Sequence, residues 1–312
     1  MKVLSLFSGI GGLDAGFEKA GFKVVWANDF DKYAVETYKA NYKSPIILGD
    51  INKIALEDLP SFDVLIGGFP CQPFSMMGSE LGFEDARGTL FFRIAEIIKY
   101  QIDSGNKPRV IVLENVRTLR THDKGRTFKT IKRILTEDLG YKVFDSVLNT
   151  ADYGIPQTRN RTYIVCFANE FAEFVFPEKQ ELSVYLQDLL ESNVDNKYFL
   201  SDTILPTILS DGTGGYKAKS EIDLKIARPL CATMAKMHRA CQDNYVTQNG
   251  RVRRLTPREC ARLQGFNDDF VIPVSDSQAY KQFGNAVTVN VSYAVAKQVK
   301  QTLESLGEWI YE

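Results

Sequence analysis

Over its first 170 residues the chain alternates short apolar runs with amphipathic stretches, and this alternation restricts the fold more than any other feature. Strands are expected at residues 2–7, 23–28, 46–49, 63–66, 110–113, 142–148 and 162–167. Several are rich in Val and Ile, as strands buried on both faces of a parallel sheet tend to be. Helical patterns lie between them: 13–20 closed by Gly21, 32–41 behind Asp31, 90–100 with an apolar face, and 127–139 stopped by Gly140. Strands and helices in this order predict an α/β fold with a doubly wound, Rossmann-like domain.

The texture changes near residue 180. SDGTGGYKAKSE, residues 210–221, is polar and glycine-rich, and the regular alternation fades. At 312 residues the chain is long enough for two domains. A second, smaller domain is expected over 181–277. The tail 287–306 returns to helical periodicity and is expected to pack back on the first domain, which then comprises 1–180 plus 278–312. The net charge of −1 hides a split: residues 197–265 carry 12 Lys and Arg against 6 Asp and Glu. A basic face and a merely solvated surface both fit that excess.

No apolar run approaches the ~18 residues of a membrane span, and the N-terminal MKVLSLFSGIGG reads as strand and loop rather than a signal peptide. The cytoplasm is the expected location, with no membrane partner. The five cysteines, at 71, 166, 231, 241 and 260, contain no C-x-x-C pair, and His122 and His238 lie near no pair of them. Neither a disulfide framework nor a metal site is expected. Cys166 and Cys260 sit in patterns that suit packed thiols.

FSGIGGLDAGF, residues 7–17, follows the first strand directly. Gly9, Gly11 and Gly12 permit a tight turn and close approach of backbone to a ligand at a helix N-terminus. Counted from Gly9, the last position of G-x-G-x-x-G/A is Asp14, and no G-K-[ST] follows, so neither a dinucleotide fingerprint nor a P-loop is present. Asp29 ends the second strand and could take a ribose hydroxyl pair. Asp50 ends the third, where a carboxylate could accept from an adenine amino group. Such a set suits a nucleoside without essential phosphates, of which S-adenosylmethionine is one; helix caps or turn residues are the plainer reading of each aspartate.

GGFPCQPFS, residues 67–75, sets Cys71 between two prolines after a strand, and Glu114 follows another strand in VIVLEN. In an open α/β sheet ligands gather at the carboxyl ends of strands, so both would face one pocket. An unperturbed thiol is mostly protonated near neutral pH, and a nucleophilic Cys71 needs activation. A turn cysteine and a capping glutamate remain the alternatives on these residues alone.

GGFPCQPFS, ENV (114–116), QTRNR (157–161), RRLTPRECARLQGF (253–266) and QFGNAVTVN (282–290), together with the glycine turn, resemble the ordered motifs of the cytosine-5 DNA methyltransferases. The resemblance runs over nearly the whole chain, is nearest to small bacterial restriction–modification enzymes, and is weakest over 170–250, the target-recognition region. It implies a catalytic, S-adenosylmethionine-binding domain with a target-recognition domain. It assigns Cys71 as the nucleophile at cytosine C6, Glu114 as the acid at N3, and Arg161 with Arg159 as the groups that orient the base. The cofactor is expected along Phe7, Gly9, Gly11, Gly12, Leu13, Asp29, Phe30, Asp50, Ile51 and Leu90, with Asn285 and Ala286 returning from the tail.

Attack on C6 requires the cytosine to leave the duplex stack. The segment 74–88 is expected to be a mobile loop that closes over DNA, with Arg87 near the backbone. Further DNA contacts are expected from Gln157, Lys217 (in the stretch 211–217), Lys236, His238, Arg239, Arg253 and Arg254. The implied partners are double-stranded DNA and an endonuclease acting on the same site, and the implied state is a monomer. An RNA cytosine methyltransferase on the same scaffold and a non-catalytic binding module are the rival readings.

Overall fold

The computed structural model describes residues 1–70, 90–210, 221–236, 238–239 and 242–309. The expected nucleophile Cys71, the loop 74–88 with Arg87, and the stretch 211–217 with Lys217 lie outside the described residues. Two compact units divide the chain: Met1–Leu148, Asn160–Glu178 and Val291–Glu312 form the first, and Asn149–Arg159 with Lys179–Asn290 the second. These bounds differ from the expected ones, since 149–159 and 278–290 fall in the second unit.

In the first unit, seven strands form one sheet: β1 (Lys2–Leu6), β2 (Lys23–Asp29), β3 (Ile46–Leu48), β4 (Val64–Gly68), β5 (Val110–Val116), β6 (Lys142–Asn149) and β7 (Asn160–Phe167). Their order is β3-β2-β1-β4-β5-β7-β6. β1 to β5 run parallel, and β7 pairs antiparallel with β5. Hydrophobic periodicity carries no strand direction, which is why the antiparallel β7 is invisible in the sequence. Chain order reverses between β1 and β4, the switch point at which such sheets open a crevice.

The helices follow the sequence pattern closely: α1 (Gly12–Lys19), α2 (Lys32–Asn41), α3 (Leu90–Asp103) and α4 (Arg126–Arg133). Asp31 caps α2 by accepting from Tyr33 N at 2.9 Å. The stretch expected as one helix over 127–139 widens after α4 into a π turn, Ile134–Asp138. The C-terminal helix, Val289–Ser305, packs its first-unit residues on α1. A Cβ on Gly16 would stand 2.3 Å from Ser292 Oγ, so only glycine admits that approach. Ser292 Oγ donates to the Leu13 carbonyl at 2.8 Å. No helix among the described residues is long and apolar enough to cross a membrane.

The second unit has little regular structure: α5 (Leu205–Leu209), the hairpin β8 (Tyr245–Gln248) and β9 (Arg251–Arg254), α6 (Pro257–Arg262) and α7 (Asp276–Asn285). Asn249 and Gly250, both at positive φ, make the two-residue turn that Asn-Gly favours between strands. Beside its buried apolar residues, among them Phe266, Phe270 and Phe283, this unit is tied together by buried polar groups. Arg253 and Glu259 are both 0 % exposed and form a forked pair, with N–O distances of 2.8 and 2.7 Å. Glu259 also accepts from Thr256 N and Glu191 N, each at 2.8 Å, while Arg253 Nε donates to Gln248 at 2.6 Å. Both carboxylate oxygens of Glu259 thus accept twice and all three nitrogens of Arg253 donate, the condition under which a buried ion pair is tolerated.

Glu259→Gln strands the Arg253 charge, and is expected to lower stability by about 3–5 kcal/mol. A urea titration reads this as a fall in midpoint, and Arg253→Met combined with Glu259→Leu should recover most of it. An unchanged midpoint in Glu259→Gln would show that the pair is not what holds the unit.

Candidate functional site

At the carboxyl edge of the first unit's sheet, β1 ends at Leu6 and Phe7 turns into the left-handed region at φ 54°. The chain then enters the glycine turn. Ser8 N donates to the Asn28 carbonyl at 3.0 Å and Gly11 N to the Ser8 carbonyl at 2.8 Å, which lashes the turn to the end of β2. Gly9 N donates to Asp29 Oδ2, and Asp31 N to Asp29 Oδ1, each at 2.8 Å. Asp29 is buried, and the loss of water raises its pKa against the pull of these backbone bonds.

The glycines differ in what they serve. Gly11, at φ 83°, is the N-cap of α1, and a Cβ there would meet the Tyr42 ring at 2.4 Å. Gly9, at φ 55°, has nothing within 4 Å of where its Cβ would be. That open side borders Asp29, and it is where a nucleoside could lie against bare backbone. Phe30, 72 % exposed, stands next along the edge. Asp50 is exposed and caps a short turn by accepting from Asn52 N at 3.0 Å. Each aspartate thus holds a turn while also standing at the edge.

Gly12, Leu13 and Ile51 have become part of the packed interior. Leu90 is half-buried at the start of α3. Arg93, which sequence reasoning missed, holds the loop after Asp50 in place by donating from Nε to the Ile51 carbonyl at 3.1 Å and through Nη2 to that of Ile54. Asn285 and Ala286 lie at the end of α7, in the second unit; Asn285 is exposed and Ala286 buried.

β5 carries Glu114 level with Gly68 of β4 and Tyr163 of β7, and carries Val116 level with Arg161. Arg161 Nε lies 3.1 Å from Glu114 Oε1. Both side chains are largely buried, at 20 % and 9 % exposure, so the guanidinium–carboxyl contact is only partly screened. Asn115 is the second residue that sequence reasoning passed over, although it sits inside the ENV motif. Its Nδ2 donates to the Phe69 carbonyl at 2.8 Å, and its Oδ1 accepts from Val116 N at 2.8 Å. It is buried, and it ties the end of β5 to the segment that runs into Pro70 and Cys71.

Two expected functional residues of QTRNR belong instead to the frame of the second unit. Gln157 is fully buried: its Nε2 donates to the Leu263 carbonyl at 2.6 Å, and its Oε1 accepts from Leu230 N at 2.9 Å. It has no surface to offer DNA. Arg159, 2 % exposed, donates to the carbonyls of Leu230, Gly284 and Ala286 at 3.0, 3.0 and 2.8 Å. Its guanidinium is occupied by main chain, whereas Arg161 faces Glu114. Arg253 must likewise be withdrawn as a DNA contact, because its charge is sealed against Glu259.

Lys236, His238 and Arg254 do come together. With Lys197, Tyr198 and Ser201 they line a cavity of about 350 Å³ in the second unit. His238 Nδ1 lies 3.2 Å from Tyr245 Oη, and burial followed by the Arg254 charge lowers the His238 pKa. Arg239 is half-buried and donates to Gln242 at 2.8 Å. A larger cavity, of about 640 Å³, opens at the opposite edge of the first unit's sheet. Arg109 in its lining pairs with Asp63 and Glu308, and the cavity lies away from the strand ends that carry the site.

Comparison with known proteins agrees with this geometry. A family model described as C-5 cytosine-specific DNA methylase matches residues 1–301. The type II methyltransferase M.NgoBI of Neisseria gonorrhoeae is 44 % identical, over 99 % of this chain and 98 % of its own. M.HhaI of Haemophilus parahaemolyticus is 37 % identical over 97 % and 95 %. Among solved structures, the Entamoeba histolytica methyltransferase EhMeth superposes with a TM-score of 0.77 at 22 % identity, covering 98 % of both chains, a likeness of fold. The matched length, the ordered motifs and the carboxyl edge bearing Glu114 and Arg161 lead to one assignment: the chain belongs to the family of C-5 cytosine-specific DNA methylases.

Proposed function

We propose that this protein methylates C5 of one cytosine within a specific duplex DNA sequence, and that it is the protective methylase of a restriction–modification system. The observation that carries the reading is the Glu114–Arg161 pair, standing at the strand ends beside the segment that leads into Pro70 and Cys71. S-adenosylmethionine, when bound, supplies the methyl group to C5 and departs as S-adenosylhomocysteine. The open flank of Gly9, with Asp29, Phe30 and Asp50 along the same edge, supports it as the ligand of the glycine turn.

The base needs activation, because cytosine C5 is a weak nucleophile. Cys71 thiolate forms a bond to C6, and the C5–C6 π electrons are displaced through the ring toward N3. Glu114 delivers a proton to N3, leaving an enamine whose C5 is nucleophilic. Arg161 holds Glu114 in place and offers a rigid, permanently charged donor to the base oxygen. After methylation a base removes the C5 proton. The C5–C6 double bond re-forms, the thiolate leaves C6, and the N3 proton returns to Glu114. All of this needs an extrahelical cytosine, and the segment 74–88 with Arg87 is assigned to closing over the DNA.

Sequence reading is assigned to the second unit. Lys236, His238, Arg239 and Arg254 are the candidates there, together with Lys217; a positively charged wall suits phosphate as well as guanine edges. The naming of several relatives as type II methyltransferases supports the protective role, with an endonuclease that shares the site without need of contact. A monomer working in the bacterial cytoplasm completes the reading.

Duplex DNA carrying 5-fluorocytosine at the target lacks the proton that must leave C5, so the wild-type protein should remain covalently attached after denaturation. Cys71→Ala should show neither attachment nor methyl transfer, while its affinity for S-adenosylmethionine stays within about threefold. Attachment that survives in Cys71→Ala would remove the nucleophile assignment; transfer to tRNA but not to duplex DNA would replace the substrate. Asn115→Ala should cut kcat by about 10- to 100-fold through misplacement of the Phe69–Cys71 segment, with cofactor affinity unchanged. A loss confined to KM for DNA would instead make Asn115 a binding residue.

A further inference from the structure

Beneath the glycine turn lies a carboxylic acid that the proposed chemistry does not use. Asp14, on α1, is 0 % exposed. Its Oδ2 accepts from Ser5 Oγ at 3.0 Å and its Oδ1 from Tyr38 Oη at 2.8 Å. Ser8 Oγ lies 2.9 Å from Ser5 Oγ and 3.2 Å from the Ser5 carbonyl. Ser8 in turn opens the glycine turn and accepts from Asn28 N at 3.3 Å, while Asn28 Nδ2 donates to the carbonyls of Ile47 and Gly49, each at 3.0 Å. Tyr42, just past the end of α2, donates to the Gly11 carbonyl at 3.1 Å. A single buried network therefore runs from Asp14 to the turn, to the end of β2 and to the residue before Asp50.

Asp14 has no cationic partner among the described residues. The titratable groups that face it are Glu18 on its own helix, Tyr38 on α2 and Tyr42 just past the end of α2, all neutral or acidic. Burial, opposed by the Tyr38 and Ser5 hydrogen bonds, lifts its pKa from 3.8 to about 7. The chain of hydroxyls is satisfied in both protonation states. With the carboxylate ionised, Ser8 donates to Ser5 and Ser5 donates to Asp14. With Asp14 protonated the order reverses: Asp14 donates to Ser5, Ser5 to Ser8, and Ser8 to the Ser5 carbonyl. Protonation thus changes the charge under the turn without breaking its scaffold.

We propose that Asp14 is a positioning residue for the cofactor turn and its missing counter-charge, held so that the ionised carboxylate favours a positively charged ligand over a neutral one. This rests on the reading of the glycine turn as the S-adenosylmethionine site. The methyl donor carries a sulfonium charge that its product lacks, so Asp14 discriminates between substrate and product by charge alone. Linkage requires the reciprocal effect: binding the donor lowers the Asp14 pKa and releases protons, and binding the product does not.

In the ligand-free protein the sign is the opposite of a salt-bridged aspartate. The folded-state pKa lies above the unfolded 3.8, so the folded state holds more protons between pH 4 and 7. Stability from this group is full below 3.8 and is lost as pH rises toward about 7. A cationic ligand offsets that loss.

The test is calorimetric titration of S-adenosylmethionine and S-adenosylhomocysteine, separately, into the full chain at several pH values and in buffers of different ionisation heat. For wild type the donor-to-product affinity ratio should rise by up to about tenfold from pH 6 to 8, the scale of two partly screened charges. Proton release should accompany the donor only. Asp14→Asn should flatten the ratio while still binding both ligands. Tyr38→Phe removes a bond that favours the carboxylate, so its midpoint should move to higher pH, which keeps the test decisive if Asp14→Asn fails to fold. A ratio with the same pH slope in wild type and Asp14→Asn, or an unmoved midpoint in Tyr38→Phe, overturns the proposal. Wild type that binds neither ligand would instead overturn the reading of the turn.

Discussion

A strand buried on both faces leaves polar chemistry nowhere to emerge except at its ends. β1, β4 and β5 are in that position: nearly every residue they contain is buried, and their backbone groups are consumed by the ladders on either side. Because the three run parallel, their carboxyl ends lie along one edge, and the candidate site is built along it together with the end of β2 and the start of the antiparallel β7. Glu114, Arg161, Asp29 and the glycine turn are neighbours through topology, although far apart in the chain. The few polar groups that do enter the interior are those that shape the edge. Asn115 holds the segment before Cys71, Asn28 the loop before Asp50, and Asp14 the turn itself. An unpaired buried polar group costs about 1–3 kcal/mol, so each of these bonds also specifies a position.

The second unit is organised around a different group, the buried guanidinium. Arg159 reaches three main-chain carbonyls that belong to distant stretches, and Arg253 spans a carboxylate, an amide and a carbonyl. A planar fork with five donors can join several irregular segments at once, which a lysine ammonium cannot do with the same geometry. In a unit with short strands and few helices, such joints take over the ordering that a sheet supplies elsewhere. The buried pair takes one base and one acid out of residues 197–265, so the basic excess of that stretch is the same without it.

Motif and role separate in an instructive way here. QTRNR reads as one catalytic signature, yet Gln157 and Arg159 brace the second unit while Arg161 stands on Glu114 in the first. RRLTPRECARLQGF combines a buried ion pair, a capping box at Thr256 and Glu259, and one arginine, Arg254, that lines a cavity. A string of residues keeps its spacing for several physical reasons at once, and only the partners of each side chain tell them apart. Some signals were available and went unread: Asn249-Gly250 between β-branched stretches marks the hairpin, and the asparagine of ENV stands next to the acid it supports.

The sequence by itself determined the seven strands of the large sheet, most of the helices, the glycine turn and the identity of the chemical groups, because periodicity, caps and stiff turns are local properties that short stretches settle alone. It also determined the family, through motifs whose order no single local cause would produce. Tertiary structure decided the direction of β7, the split of QTRNR between two units, the burial of Arg253, and the coupling of Asp14 to the turn. Each of these depends on which distant residue supplies a hydrogen-bond partner or removes water. Burial and partnership are properties of the folded chain, and they turned one arginine into a brace, another into a candidate base-orienting group, and a helix aspartate into a carboxylic acid near neutrality.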